Sequence, residues 1–201
     1  LGVNLMSFMH HNSFTKLLIA ESYWQFDGRG KIKGNTLYSL SKSCLSNIAE
    51  YLSIKYNFIT NCLVLYDIYG PGDDRHKLLN QLIDNLNKRK IFKLTPGKQI
   101  IDYTFINDVA KAFVVASENL ILKKENQFKR YTVRSMHQKT LKSYINIIEN
   151  SLNYKFNINW GGKKYPNYQI MKPWLPSSKY QLPSWSPESK FENNIKNLIK
   201  K

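Results

Sequence analysis

The chain has 201 residues, 42% hydrophobic and 13% aromatic, with 30 basic side chains against 14 acidic ones and a net charge of +16. This suits one domain, or one and a half, with a packed core, and it excludes disorder. No apolar run approaches the roughly 18 residues that a membrane span needs, and the two cysteines and four histidines have no metal-ligand spacing. Cys44 and Cys62 both fall in apolar-periodic segments and are expected to be buried free thiols in a reducing cytosol.

Residues 1–14, LGVNLMSFMHHNSF, read as an amphipathic helix and lack the basic start and long apolar core of a signal peptide. A chain that opens on Leu1 inside such a helix is expected to be a fragment. TKLLIA (15–20) is a buried strand and ESYWQFDGRGKIKGN (21–35) a loop. From Leu37 to Tyr56, apolar residues recur at 37, 40, 44, 45, 48, 49 and 52, a helical stripe. FITNCLVLYDIYG (58–70) is a strand, GPGDD (70–74) a turn whose glycines allow close backbone approach to a ligand, and HKLLNQLIDNLNKRK (76–90) an amphipathic helix. IFKL and QIIDYTF are strands around a TPGK turn, and INDVAKAFVVASENL (106–120) is a helix with Asp108 in its first turn, expected to cap it and tie the lobes together. Beyond residue 125 come a strand at KRYTVRS, a helix at KTLKSYINIIENSL, a strand at YKFNINW, a Pro-rich ordered coil over 161–189 and a closing helix at KFENNIKNLIKK. Strands alternating with helices imply an α/β fold with a parallel sheet.

Of the 30 basic residues, 25 are lysines spread along the whole chain, and Asn (21) and Ile (19) are also over-used. This fits a genome rich in A and T. A nucleic-acid binder is motivated by charge alone and would show affinity falling steeply with salt.

A tyrosine four residues before a lysine can serve as an acid/base pair, but the spacing occurs three times, at Tyr38/Lys42, Tyr51/Lys55 and Tyr168/Lys172. Context separates the first. Tyr38 opens a helix that follows a strand and a loop, and Ser22 offers a hydroxyl at the strand's end. Lys42 lies one turn on, on the same face, where its charge would favour a phenolate that otherwise forms only near pH 10.

The order strand, Ser22, loop, LYSLSK, helix, strand, YGPGDDRHKLL, helix, GKQIIDYTFINDVAKAF resembles the extended short-chain dehydrogenase/reductase family, and within it the nucleotide-sugar epimerases, dehydratases and 4-ketoreductases. ESYWQ and the short gap to Tyr38 resemble bacterial deoxysugar enzymes of the kind that make CDP-abequose for O-antigen. LPSWSPESKFENNIKNLI resembles the family's closing Trp-x-Pro segment and helix.

The resemblance implies a cytoplasmic, NAD- or NADP-dependent enzyme acting at the sugar C4. Ser22, Tyr38 and Lys42 would be catalytic, and Tyr38, Lys42 and Leu65 would hold the cofactor. Ser22, Tyr23, Asp67 and Lys77 would hold the substrate. It implies a nucleotide-sugar partner, a homodimer through the Tyr–Lys helix, no nucleic acid and no membrane insertion. The fold would be a partial Rossmann, a doubly wound parallel sheet, with a small mixed α+β substrate lobe. Residues 1–120 would be the core, with 71–105 contributing to the lobe, and 121–201 the C-terminal lobe and closing helix. An open sheet edge would leave these residues poorly stable alone.

Three departures stand against this pattern. The Gly-x-x-Gly-x-x-Gly cofactor loop is absent from these residues. The arginine before YGPG is Val64, and the arginine before the Asp-Tyr pair is Ile101. A later arginine position holds Pro166. Arg75, Lys77, Lys98, Lys163 or Lys164 could compensate. A catalytically decayed relative serving as a binding protein is the alternative reading.

Overall fold

Residues 59–65, ITNCLVL, are buried on both faces, as the middle strand of a parallel sheet requires. The computed structural model describes residues 2–86, 88, 90–125 and 127–198. Helix α1 (Gly2–His11) leads to strand β1 (Lys16–Ser22), a 3-10 turn (Tyr23–Gln25), helix α2 (Leu37–Lys55) and strands β2 (Ile59–Leu65) and β3 (Asp67–Tyr69). Helix α3 (Leu78–Asp84) and strands β4 (Ile91–Leu94), β5 (Ile100–Ile101) and β6 (Tyr103–Phe105) precede helix α4 (Ile106–Leu122). Strands β7 (Gln127–Val133) and β8 (Lys139–Thr140), helix α5 (Leu141–Leu152), strand β9 (Asn157–Trp160) and the one-turn helix α6 (Phe191–Asn194) follow.

The main sheet runs in the order β1-β2-β7, all parallel, so its third strand comes from beyond residue 120. Helices α1 and α2 cover one face, where Met6, Leu17, Ile19, Ala49 and Cys62 pack together, and α4 covers the other through Val109, Ala112 and Ala116 against Leu63 and Val133. A second core around Leu82, Phe92, Tyr144, Ile148 and Ile195 fills a smaller lobe. That lobe holds parallel β4–β9 and antiparallel β5–β8. The chain therefore has the expected α/β architecture, a parallel sheet covered by helices on both faces with a small mixed lobe beside it.

Several elements differ from expectation. The strand 58–70 splits at Tyr66: β2 stays in the main sheet, while β3 pairs with β6. The strand 99–105 splits at Asp102, whose carboxylate accepts the Ser135 backbone N–H and the Gln138 side-chain amide, each at 2.6 Å. The helix over 76–90 is short, Leu78–Asp84, and residues 87 and 89 lie outside the described residues. The closing helix makes one turn and then continues as 3-10 over Ile195–Leu198, with residues 199–201 outside the described residues. Both cysteines are free, but Cys44 is exposed and only Cys62 is buried, because the face of α2 that lies on the sheet runs beside Cys44 and not through it.

That face carries Ser39, Ser43, Ser46, Ala49 and Ser53, while Leu37 and Leu40 are exposed. Small side chains let a helix lie close on a sheet, and buried hydroxyls need partners. Ser43 Oγ donates to Ser39 O at 2.9 Å, and Ser53 Oγ to Ala49 O at 3.0 Å.

Candidate functional site

The site begins where β1 ends. Ser22 is buried and N-caps the 3-10 turn. Its Oγ accepts the Trp24 N–H at 3.3 Å, and its own N–H donates to Gln25 Oε1 at 2.8 Å. The Gln25 amide in turn donates to Ser46 Oγ on α2 at 3.2 Å, and Ser46 Oγ donates to the Lys42 carbonyl at 3.0 Å. This chain of bonds ties the strand end to the helix that bears Tyr38 and Lys42. The Ser-x-x-Gln signature of a capping box is present in SYWQ, and it is the signal by which Gln25 could have been found from sequence.

Helix α2 starts at Leu37 because Thr36 caps it reciprocally with Ser39. Tyr38 is thus in the first turn, 55% exposed, and Lys42 reaches across from the next turn to donate to the Ala20 carbonyl at 2.9 Å. Ser22, Tyr38 and Lys42 line one cavity of about 300 Å³ at the C-terminal end of β1 and β2. Leu65, Tyr23, Asp67 and Lys77 line the same cavity, so all seven residues expected from sequence meet there. Tyr51 and Tyr168, from the other two spacings, are exposed and do not line it. A larger cavity of about 490 Å³ lies against β4, walled by Phe92, Leu94 and Leu141 and rimmed by Lys90, Lys93 and Lys163, and holds none of the seven.

Opposite Tyr38, the Tyr23 hydroxyl donates to Asp67 Oδ2 at 2.9 Å. The Tyr23 ring stacks on Tyr66, centroids 5.1 Å apart and 8° from parallel, and the Tyr66 hydroxyl donates to the Trp174 carbonyl. Burial pushes the Asp67 carboxyl up to about 6, against the opposing pull of the Tyr23 hydroxyl and the Lys77 charge. Burial and the neighbouring Asp67 likewise raise the Tyr23 phenol.

The YGPGDD turn follows β3 and walls a neighbouring cavity of about 310 Å³. Gly70 approaches α4 so closely that a Cβ there would stand 2.3 Å from Ile106 Cγ2, and Gly72 has φ +78. The close approach at Gly70 is therefore made to a helix. The Arg75 guanidinium holds Asp73 bidentately, at 2.7 and 2.9 Å, and keeps its carboxyl well below the usual range. Lys77 Nζ donates to the Ile68 carbonyl at 2.9 Å.

The arginine departures have a packing counterpart. Val64 is fully buried in a cluster with Tyr23, Phe26 and Tyr66, and Ile101 packs on the second core. Of the basic residues that could compensate, Arg75 and Lys77 line the site, Lys163 lines the larger cavity, and Lys98 and Lys164 line neither. Asp108 does not cap α4: its Oδ2 accepts the Ser189 N–H at 3.0 Å, and its backbone carbonyl accepts Trp185 Nε1 at 3.0 Å. It fastens the Trp-x-Pro segment to the helix.

Comparison with known proteins extends this geometry. The sequence pattern of the "NAD dependent epimerase/dehydratase family" matches residues 4–129. CDP-abequose synthase of Yersinia pseudotuberculosis is 30% identical over 201 residues, covering 98% of this chain and 67% of the relative. CDP-abequose synthase of Salmonella typhimurium is 25% identical over 167 residues, 82% of this chain and 55% of the relative. In fold, the chain is similar to a UDP-glucuronic acid 4-epimerase from Bacillus cereus, solved with a fluorinated UDP-glucuronic acid and NAD. The TM-score is 0.83 at 17% identity, over 99% of this chain and 66% of that one. The chain thus spans about two thirds or less of the length of these relatives. Among the described residues no helix is long and apolar enough to cross a membrane, and no cluster of side chains is suited to a metal.

Proposed function

The chain belongs to the NAD-dependent epimerase/dehydratase family, and from that premise we propose that its Ser22–Tyr38–Lys42 cavity carries out NAD(P)-linked chemistry at C4 of a nucleotide sugar, in deoxysugar biosynthesis for a surface polysaccharide. The observation that carries this reading is the meeting of phenol, ammonium and hydroxyl, from two elements, in one cavity at the strand ends.

The nicotinamide, when bound, exchanges a hydride with the sugar carbon. The residues here suit such a group: Leu65 offers an apolar wall at the end of β2, and among the described residues Lys42 spends one of its three N–H donors, on Ala20. The remaining two can hold a ribose hydroxyl. Tyr38 moves the proton at the C4 oxygen. Ser22 accepts from Trp24 through its lone pair, so its O–H stays free to donate to that same oxygen and fix it against Tyr38. Tyr23, Asp67 and Lys77 hold the sugar. With Val64, Ile101 and Pro166 in place of arginines, Arg75 and Lys77 are the cations available to the sugar-nucleotide phosphates.

We place the cytoplasm as its compartment and a second copy, joined along α2, as its partner. We infer as well that turnover needs a strand, Gly-rich loop and helix supplied from outside these 201 residues, since a pyrophosphate is held at such a helix N-terminus. The test is titration of NADH and NADPH into protein expressed from the complete reading frame, followed by nicotinamide fluorescence. Saturable binding of one of them, weakened by Lys42→Met, is expected. Failure of both to bind would overturn the reading and favour a decayed relative.

A further inference from the structure

Two carboxylates line the cavity, Glu21 and Asp67. Glu21 is fully engaged: both its oxygens accept from Arg130 Nε at 3.1 Å. Asp67 is different. Its Oδ2 takes the Tyr23 hydroxyl, while among the described residues no donor lies on its Oδ1. Among the described residues no cation lining the cavity donates to Asp67. Arg75 is held bidentately by Asp73, Lys77 donates to the Ile68 carbonyl and lies 3.4 Å from Asp73, and Lys42 donates to the Ala20 carbonyl. Asp67 therefore presents an acceptor oxygen with no cation in hydrogen-bonding contact. It is held in place by a Tyr23 ring that is itself clamped against Tyr66.

An anionic acceptor in a partly desolvated cavity welcomes a hydroxyl and repels another carboxylate. We propose that the Tyr23–Asp67 pair is a charge filter that accepts a hydroxyl of a neutral hexose and excludes a hexuronate, which makes Asp67 a specificity-determining residue. This rests on the reading of the cavity as a nucleotide-sugar site and deepens it. The B. cereus epimerase of the same fold was solved with a glucuronic acid derivative, so the fold itself does not set this preference.

The groups facing Asp67 give the filter a pH dependence. Tyr23 and Lys77 favour its ionised form, Asp102 opposes it, and the buried Tyr103 phenol stands beside it. Burial outweighs the two favourable partners, and the carboxyl titrates at about 6. The charge is therefore present above that pH and lost below it, while a hexuronate stays ionised throughout.

The test compares binding of CDP-glucose and CDP-glucuronate by calorimetry, to protein from the complete reading frame, at pH 7.5 and 5.0. The wild type is expected to prefer CDP-glucose on the order of tenfold at pH 7.5, a preference that shrinks at pH 5.0. Asp67→Asn keeps an acceptor for Tyr23, and its preference is expected to be small at both pH values. Tyr23→Phe keeps the charge and removes a bond that favours it, so the preference is expected to fade at a higher pH than in the wild type. This last shift is a readout that mere structural damage would not produce. A wild-type preference unchanged by pH or by Asp67→Asn would overturn the filter alone. Absence of binding of both sugar nucleotides would overturn the nucleotide-sugar reading and the filter with it.

Discussion

Asp67 carries a stability consequence separate from its ligand. Its carboxyl is raised from the ordinary 3.8 to about 6, so the folded state binds the proton more tightly than the unfolded one. Stability is then fullest below about pH 4 and is lost as pH rises through 6, an effect of roughly 3 kcal/mol at most. Asp67→Asn removes this penalty. In urea melts it should match the wild type near pH 4 and exceed it at pH 7.5, and an equal difference at both pH values would contradict the titration. Ser22 is a second case. Ser22→Ala deletes both the turn's N-cap and the O–H that we propose donates to the sugar oxygen. It should cost about 1 kcal/mol in stability and about a hundredfold in turnover, with Ser22→Thr recovering most of both. The positions of Ser22 at a strand end and of Tyr38 and Lys42 in the first turns of a helix were legible in the sequence. Their shared cavity was not, since it depends on β3 leaving the main sheet to pair with β6, which sets Asp67 beside the strand ends.

At the scale of elements, α2 shows where a hydrophobic pattern misleads. Its apolar periodicity marked the helix and part of its packed side, Leu45, Ile48, Ala49 and Leu52, but not the buried serines Ser39, Ser43, Ser46 and Ser53. Serine scores as polar, yet each of the bonded hydroxyls here satisfies itself on a backbone carbonyl one turn back, which makes it a small, buriable side chain. Ser46 has a further duty, because the buried Gln25 amide donates to it and Gln25 holds the Ser22 backbone. Ser46→Ala should therefore cost about 1–3 kcal/mol, through an unsatisfied buried amide. It should also lower kcat more than KM by loosening Ser22. A loss of stability with kcat unchanged would show that the link from helix to strand end does not position the serine. The strand breaks at Tyr66 and Asp102 were hidden for a related reason: each interrupts an unbroken run of strand-forming residues, and only the tertiary partners, Trp174 for Tyr66 and Ser135 and Gln138 for Asp102, call for the break.

For the whole molecule, two parts meet at the cavity: the main-sheet layer supplies Ser22 and Leu65 from β1 and β2 and Tyr38 and Lys42 from α2, and β3 with the segment after it supplies Asp67 and Lys77. The Pro-rich segment is ordered structure that fastens the two, through the Trp174 carbonyl to Tyr66, the Met171 carbonyl to the Ile100 N–H at 2.9 Å, and Trp185 to Asp108. The alternation of strands and helices foretold the parallel sheet. That β7, beyond residue 120, completes it could not be read from alternation alone, because strand order is set by crossover and not by sequence distance. The central claim is that Tyr38 moves the proton while the nicotinamide exchanges the hydride. It is tested most directly by Tyr38→Phe in protein from the complete reading frame, assayed for NAD(P)H oxidation with a nucleotide-linked 4-keto sugar. The expected result is a loss of turnover of about 10²- to 10⁴-fold with cofactor binding retained. Turnover equal to the wild type would contradict it.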